Sequence, residues 1–189
     1  MSCKLVLNSV PKDEAYKLNA QADTFILLLC KECLAFVDGL ALSESIKEGV
    51  KLTCAKYDDF FEVGEEHSFS ILENNKLVNV IIVGCGEGSS CKPVNFRKAA
   101  GVGARALARV KANNVLLCAP ALNKASRGHY LAAACEGLLL GSYSFDKYKS
   151  DAKAPSICNV NIVSAISDAE NILQEAKIVT DSVNLVRDL

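Results

Sequence analysis

The chain has 189 residues, of which 50% are hydrophobic and 23% are charged, with no tryptophan and a formal net charge of -1. This composition is typical of a globular domain and excludes disordered and collagen-like chains. A net charge so close to zero argues against a general binder of nucleic acid or anionic membranes, although a local basic patch could escape this average.

The first half of the chain predicts four strands, two of them joined by a tight turn, and one helix. CKLVLNS (3–9) and ADTFILLLC (22–30) predict strands, and the second is apolar enough to be buried on both faces. LALSESIKEG (40–49) predicts a short helix that ends at Gly49, since glycine is favoured just past a helix C-terminus. Residues 67–84 predict a hairpin around the turn ENNK.

The second half alternates helices with strands. Helices are predicted over 93–112, 128–143 and 167–188, and strands over 113–119 and 157–164. Alternating strands and helices with one hairpin predict an α/β fold, in which a mixed β-sheet is covered by helices on both faces.

A glycine-rich loop follows the hairpin, in VIIVGCGEGSS (80–90). Gly84, Gly86 and Gly88 stand at alternate positions after a strand, as in loops whose backbone N–H groups bind phosphate. The dinucleotide fingerprint fails, because the third glycine comes one residue early and 104–112 contains no acidic residue. The P-loop motif is also absent. The sequence favours a turn, with these glycines as weak candidates for an anion site.

The nine cysteines lie mostly within apolar runs. The N-terminus has no signal-peptide pattern, so reduced thiols in the core of an intracellular, cytoplasmic protein are expected. Cys30 and Cys33 form a C-x-x-C, but a zinc site would need a second pair or clustered histidines, and His67 and His129 are isolated. Metal or redox chemistry is therefore the minority interpretation.

The helix over 93–112 has an apolar face and a basic face. Gly101 and Gly103 predict a close approach of this helix to the sheet. The basic face could bind nucleic acid or phosphate, but a solvated surface is the commoner explanation. The apolar face comprises Phe96, Ala99, Gly103, Ala106, Leu107 and Val110, and the basic face comprises Arg97, Lys98, Arg105 and Arg109.

No catalytic motif is visible in the chain. The zinc-protease and nucleophile-elbow motifs are absent. Asp58 and Asp59 belong to KYDDFFEVGEE, which is typical of an acidic surface segment; a metal pair there is the less favoured interpretation. The residues therefore predict no catalytic position and no metal ligand.

Four segments nevertheless resemble a known family. They are VNVIIVGCGEG, FRKAAGVGARALARVKANNVLL, ACEGLLLGSYSFDKYKS and AENILQEAKIVTDSVNLVRDL. In order and spacing they are similar to the N-terminal region of the leucyl (cytosol) aminopeptidase family. EGLLLGSYSFDKYKS is the most specific segment. The resemblance covers residues 77–189, and before residue 77 it rests on the order of elements.

The resemblance implies a macro-like, three-layer α/β/α domain over 1–165 and an interdomain linker helix over 166–189. Family members are hexameric exopeptidases that release N-terminal residues, preferentially leucine. Their two metal ions, zinc or manganese, and their catalytic residues lie in a C-terminal domain, and no position here matches those residues. We therefore expect an inactive domain, excised from a longer protein, with a role in assembly and substrate access.

The resemblance also implies partners, namely the protein's own catalytic domain and further copies of the chain. Two alternatives stay open from the residues and the fold. One is a module that binds a nucleotide or ADP-ribose, and the other is a nucleic-acid binder that uses the face from Arg97 to Arg109.

The terminal helix carries a wide apolar stripe. Ser167 and Glu170 predict a capping box at its start. We expect the distal half, from Val179 onward, to leave apolar side chains exposed or packed on another chain. The stripe comprises Ala169, Leu173, Ala176, Val179, Val183 and Val186, widened by Ile172, Ile178 and Leu185.

Overall fold

The computed structural model describes residues 3–11, 15–57, 61–119, 127–145 and 156–189. Strands and helices alternate along most of this part of the chain. The strands are β1 (Cys3–Pro11), β2 (Thr24–Leu29), β3 (Glu66–Glu73), β4 (Lys76–Gly84), β5 (Asn114–Cys118) and β6 (Ser156–Ser164). The helices are α1 (Ala15–Asn19), α2 (Glu44–Lys56), α3 (Pro93–Val110), α4 (Arg127–Gly141) and α5 (Ala169–Arg187), with a 3₁₀-helix over Lys31–Gly39.

The strands form one sheet in the order β1-β6-β5-β2-β4-β3. The pairs within β1-β6-β5-β2-β4 are parallel, and β3 pairs with β4 in antiparallel register. β2 lies inside the sheet and every one of its residues is buried, as its uninterrupted apolar run predicts. The predicted mixed sheet with flanking helices is confirmed.

Two hydrophobic cores cover the two faces of the sheet. Because side chains alternate along a strand, Ile26 and Leu28 of β2 contribute to the core under α3, α4 and α5. Phe25, Leu27 and Leu29 contribute to the opposite core, under the 3₁₀-helix and α2. None of the described helices is both long enough and apolar enough to cross a membrane.

The predicted hairpin is confirmed, and its turn residues explain its register. Asn74 and Asn75 have φ angles of 49° and 61°. Positive φ at both central residues is the requirement of a tight two-residue hairpin turn, and asparagine tolerates it better than most residues. Glu73 therefore pairs directly with Lys76.

The prediction that the helix over residues 40–49 ends at Gly49 is wrong. α2 begins after Ser43, whose hydroxyl accepts a hydrogen bond from the Ile46 amide at 3.3 Å, and continues to Lys56. Gly49 lies inside the helix, and the ring of Phe69 packs on it, so that a Cβ at Gly49 would lie 2.7 Å from that ring. Glycine here permits packing and does not stop the helix.

The predicted approach of α3 to the sheet is confirmed at one glycine and wrong at the other. A Cβ at Gly103 would lie 3.3 Å from Ile26 of β2. Gly101 faces α4 instead, where a Cβ would lie 3.3 Å from the carbonyl oxygen of Gly137. α3 therefore uses one glycine against the sheet and one against a neighbouring helix.

The predicted capping box at the start of the terminal helix is also wrong. α5 begins at Ala169, and its N-cap residue is Asp168, whose side chain makes no capping hydrogen bond. Ser167 thus lies one position too early to pair with Glu170. The Asp168 carboxylate accepts a hydrogen bond from the Asn171 side chain instead.

Candidate functional site

The glycine loop lies at the carboxyl end of β4. Gly84 is the last residue of the strand, and Gly86 has a φ of +90°, which most other residues avoid. The amide of Gly84 donates to the Glu65 carbonyl at 2.9 Å, and the amide of Gly86 donates to the Phe61 carbonyl at 2.8 Å. These two amides are therefore used within the chain and do not point at a ligand.

The third glycine binds a carboxylate of the chain itself. The amide of Gly88 donates to the carboxylate of Glu32, which the 3₁₀-helix brings to the loop. This hydrogen bond is the main reason that the pKa of Glu32 lies below its ordinary value. The position that a phosphate would occupy at Gly88 thus already holds an anion, and a Cβ on Gly88 would lie 2.8 Å from that carboxylate.

Side chains from two helices brace the loop. The Asn95 side chain of α3 donates to the Cys85 carbonyl at 3.1 Å, and the Cys91 thiol lies 3.3 Å from the same oxygen. The Tyr130 hydroxyl of α4 donates to the Cys91 carbonyl at 2.8 Å. These contacts favour the interpretation of the loop as a structural turn between β4 and α3.

We predict that this loop binds no nucleotide tightly. Calorimetric titration of the chain with ADP-ribose, ATP and NAD should give no measurable binding below millimolar ligand, because Glu32 would repel the phosphates at Gly88. The matched control is Glu32→Gln, which keeps the shape of the side chain and removes the negative charge that would repel the phosphates. A low-micromolar dissociation constant for the unaltered chain, lost in Gly86→Val, would contradict the prediction.

The described cysteines behave as core residues. Burial raises the pKa of Cys54, Cys118 and Cys135 to about 12, so these thiols stay protonated and unreactive. Cys30 is also buried, at the start of the 3₁₀-helix. Asp58 and Asp59, and the side chain of Cys33, lie outside the described residues.

The two metal ions implied by the resemblance do not fit the described part of the chain. Within it, no three histidine, cysteine, aspartate or glutamate side chains are grouped closely enough to hold a metal ion. Two-metal hydrolysis needs several such ligands around ions about 3.5–4 Å apart. No step of a hydrolytic mechanism is assigned to these residues.

The basic face of α3 is partly neutralised. The Arg97 guanidinium donates to Glu136 of α4 at 2.6 Å, and Arg109 pairs with Glu66 of β3. Two of the four basic side chains on this face therefore hold α3 against α4 and β3. This arrangement favours a solvated, structural face over a nucleic-acid interface.

The C-terminal end of α5 makes hydrogen bonds and a cation–π contact with the end of α4 and the segment that follows it. The Tyr143 hydroxyl donates to Asp188 at 2.7 Å, and the Arg187 guanidinium lies 5.2 Å from the centre of the Tyr143 ring. Arg187 also donates to the Leu140 carbonyl at 3.4 Å. The segments EGLLLGSYSFDKYKS and VRDL, which carry the resemblance, thus meet in space, a contact that no sequence pattern predicts.

The distal half of α5 leaves its apolar side chains exposed, as predicted. Ala169, Leu173 and Ala176 are buried in the proximal half. Beyond them, Val183 is 39% exposed and Val186 is 70% exposed. Ile178, Val179 and Leu185 are each more than half exposed. We call these five residues, Ile178, Val179, Val183, Leu185 and Val186, the outer apolar surface.

Comparison with known protein families identifies one match. Residues 41–152 match the family described as "Cytosol aminopeptidase family, N-terminal domain". This match covers more than half of the chain.

Curated relatives carry the same family name. The chain is 27% identical over 153 residues to a probable cytosol aminopeptidase of Clostridium perfringens, covering 78% of this chain and 31% of that protein. It is 36% identical over 111 residues to a probable cytosol aminopeptidase of Cutibacterium acnes, covering 58% of this chain and 21% of that protein. The chain therefore spans a third or less of the length of these relatives.

Solved structures share the fold. Tomato leucine aminopeptidase, in a mutant form, superposes with a TM-score of 0.66 at 16% identity, over 96% of this chain and 37% of that one. The bottromycin maturation enzyme BotP superposes with a TM-score of 0.60 at 20% identity, over 89% of this chain and 32% of that one.

Proposed function

Because the chain belongs to the cytosol aminopeptidase family, as its N-terminal domain, we propose that it serves a metallo-aminopeptidase as a non-catalytic domain. The whole protein would release N-terminal amino acids, preferentially leucine, from peptides in the cytoplasm. The family match to an N-terminal domain and the names of the relatives support this assignment.

The outer apolar surface is the observation that supports a role in assembly. It lies on a helix whose C-terminal end is fixed by Tyr143, Arg187 and Asp188. Contiguous apolar side chains on a rigid support are typical of a surface that another protein surface covers. We propose that residues 166–189 link this domain to its catalytic domain and that the outer apolar surface packs on that domain or on a second subunit of a hexamer.

Two further parts of the proposal concern the fold and the metals. The parallel strands between helical layers support a macro-like domain over 1–165. The expectation of two divalent ions, zinc or manganese, in a C-terminal domain is supported by the family name and by a structure of BotP in complex with Mn.

The direct test is a peptidase assay on the purified 189-residue chain. With leucyl anilide as the substrate and added Mn²⁺ or Zn²⁺, we expect no hydrolysis above the rate without protein, and no bound metal after dialysis. Hydrolysis that a chelator abolishes would contradict the proposal, because it would place the metal site within this chain.

A further inference from the structure

Two cavities meet above the carboxyl ends of β5 and β6. One, of about 90 Å³, lies on the side of α3 and α4, and the other, of about 310 Å³, lies on the side of the 3₁₀-helix. Leu117 lines the first and Leu116 lines the second, because successive side chains of β5 point to opposite faces. The carboxyl ends of parallel strands are where α/β sheets most often bind ligands.

Arg127 connects the two cavities. It is the first residue of α4 and lines both of them. Its Nε atom is buried and has no hydrogen-bond partner among the described residues. Within the same part of the chain, no carboxylate forms an ion pair with it. A buried N–H group without an acceptor is unfavourable, and a carboxylate ligand would supply a charge-assisted acceptor.

A second unsatisfied atom lies in the larger cavity. Asn19 lines it, and the buried Oδ1 atom of Asn19 has no donor among the described residues. The amide nitrogen of the same side chain already donates to the Ala41 carbonyl. The free position is therefore an acceptor, and it calls for a hydroxyl or N–H group on the ligand.

Apart from Arg127, the smaller cavity is lined mainly by apolar side chains. Phe96, Leu131 and Ile162 are among its walls. The Tyr130 hydroxyl there already donates to a backbone carbonyl, and the Ser164 hydroxyl already accepts from a backbone amide. The described lining residues of both cavities include no aspartate or glutamate. A ligand with an ammonium group would therefore lose its hydration without gaining a counter-charge.

We propose that these cavities bind a small branched 2-hydroxycarboxylate. The carboxylate pairs with Arg127, the 2-hydroxyl donates to Asn19 and the branched alkyl tail fills the smaller cavity. A 150 Å³ apolar cavity holds benzene, so a cavity of about 90 Å³ holds three or four carbon atoms, which matches an isopropyl tail. This site is independent of the proposed peptidase assignment.

The test is a titration of the full chain with 2-hydroxy-3-methylbutanoate, followed by calorimetry and by ligand-observed NMR. We expect saturable binding in the millimolar range, and binding about tenfold or more weaker in Arg127→Met, because a hydrogen bond to a charged group is lost. Arg105→Met, which removes an exposed cation of α3, is the matched control and should bind as the unaltered chain does.

Two analogues test the remaining contacts. 3-Methylbutanoate, which lacks the hydroxyl, should bind about fivefold more weakly, and Asn19→Ala should abolish this difference. Valine, which carries an ammonium in place of the hydroxyl, should bind more weakly than either acid. No saturable binding, equal affinity in Arg127→Met, or tighter binding of valine would each overturn the proposal.

Discussion

Replacing Gly137 by alanine is expected to destabilise the domain by about 2 kcal/mol, although alanine is the better helix former. A Cβ at Gly137 would lie 2.2 Å from the carbonyl oxygen of Arg97 and 3.0 Å from the Cβ of Ala100. Both atoms belong to α3, so α3 and α4 would have to separate. The cost of this overpacking exceeds the gain of about 1 kcal/mol in helix propensity.

Thermal and urea unfolding, monitored by circular dichroism, measure this effect. For a chain of this size, a loss of about 2 kcal/mol corresponds to a fall in Tm of about 4–8 °C. Gly141→Ala should also destabilise, since its Cβ would lie 2.5 Å from the Gly101 carbonyl oxygen.

Gly128→Ala in the same helix is the matched control. Its Cβ would lie 3.4 Å from Ile172, an ordinary contact, so the change should be neutral or slightly stabilising. If Gly137→Ala unfolded at the same temperature as Gly128→Ala, the close contact between α3 and α4 would be contradicted.

These glycines show where prediction from the sequence ends. The sequence predicts both helices, and it marks the glycines of α3 as sites of close approach. It assigns Gly101 to the sheet, however, because a helical pattern shows which positions share a face and not which neighbour that face meets. The crossing of α3 with α4 depends on residues about 40 positions apart.

The glycine loop, too, is predicted only in part by the sequence. The failed dinucleotide and P-loop fingerprints predict a turn, and the structure places a turn at the end of β4. The sequence gives no sign that Glu32 would fill the loop, because Glu32 precedes Gly88 by 56 residues. Their contact exists because β2 and β4 are neighbours in the sheet, so that the segments after them meet.

The geometry of the terminal helix explains why its apolar stripe is buried in the proximal half and exposed in the distal half. From Ala169 to Val186 the stripe spans 17 steps of about 100°, which is about 100° short of five full turns. It therefore moves around the helix, from the core toward solvent. The face toward the domain is continued by Thr180, which is fully buried and donates to the Ala176 carbonyl at 2.9 Å, and then by Arg187 over Tyr143.

We therefore expect the isolated chain to self-associate through the outer apolar surface as its concentration rises. Removing an exposed apolar side chain from water against another surface is favourable, by about 1.5–3 kcal/mol for each side chain that becomes fully buried. Analytical ultracentrifugation over a wide range of protein concentration measures the association constant.

Val183→Lys or Val186→Glu should reduce that association constant by about tenfold or more. In a symmetric dimer each substitution occurs twice, and each copy places a charge in the interface. The unfolding temperature should change little, because Val183 and Val186 are 39% and 70% exposed in the folded chain.

Leu52→Lys supplies the control that connects the effect to the outer apolar surface. It adds the same single charge as Val183→Lys and also replaces an exposed apolar side chain, but it lies on α2, which covers the opposite face of the sheet from α5. Its association constant should therefore match that of the unaltered chain, whereas a general effect of net charge would lower both. A chain that stays monomeric at millimolar concentration would show that these valines do not drive association between copies, and the catalytic domain would be left as the surface that they contact.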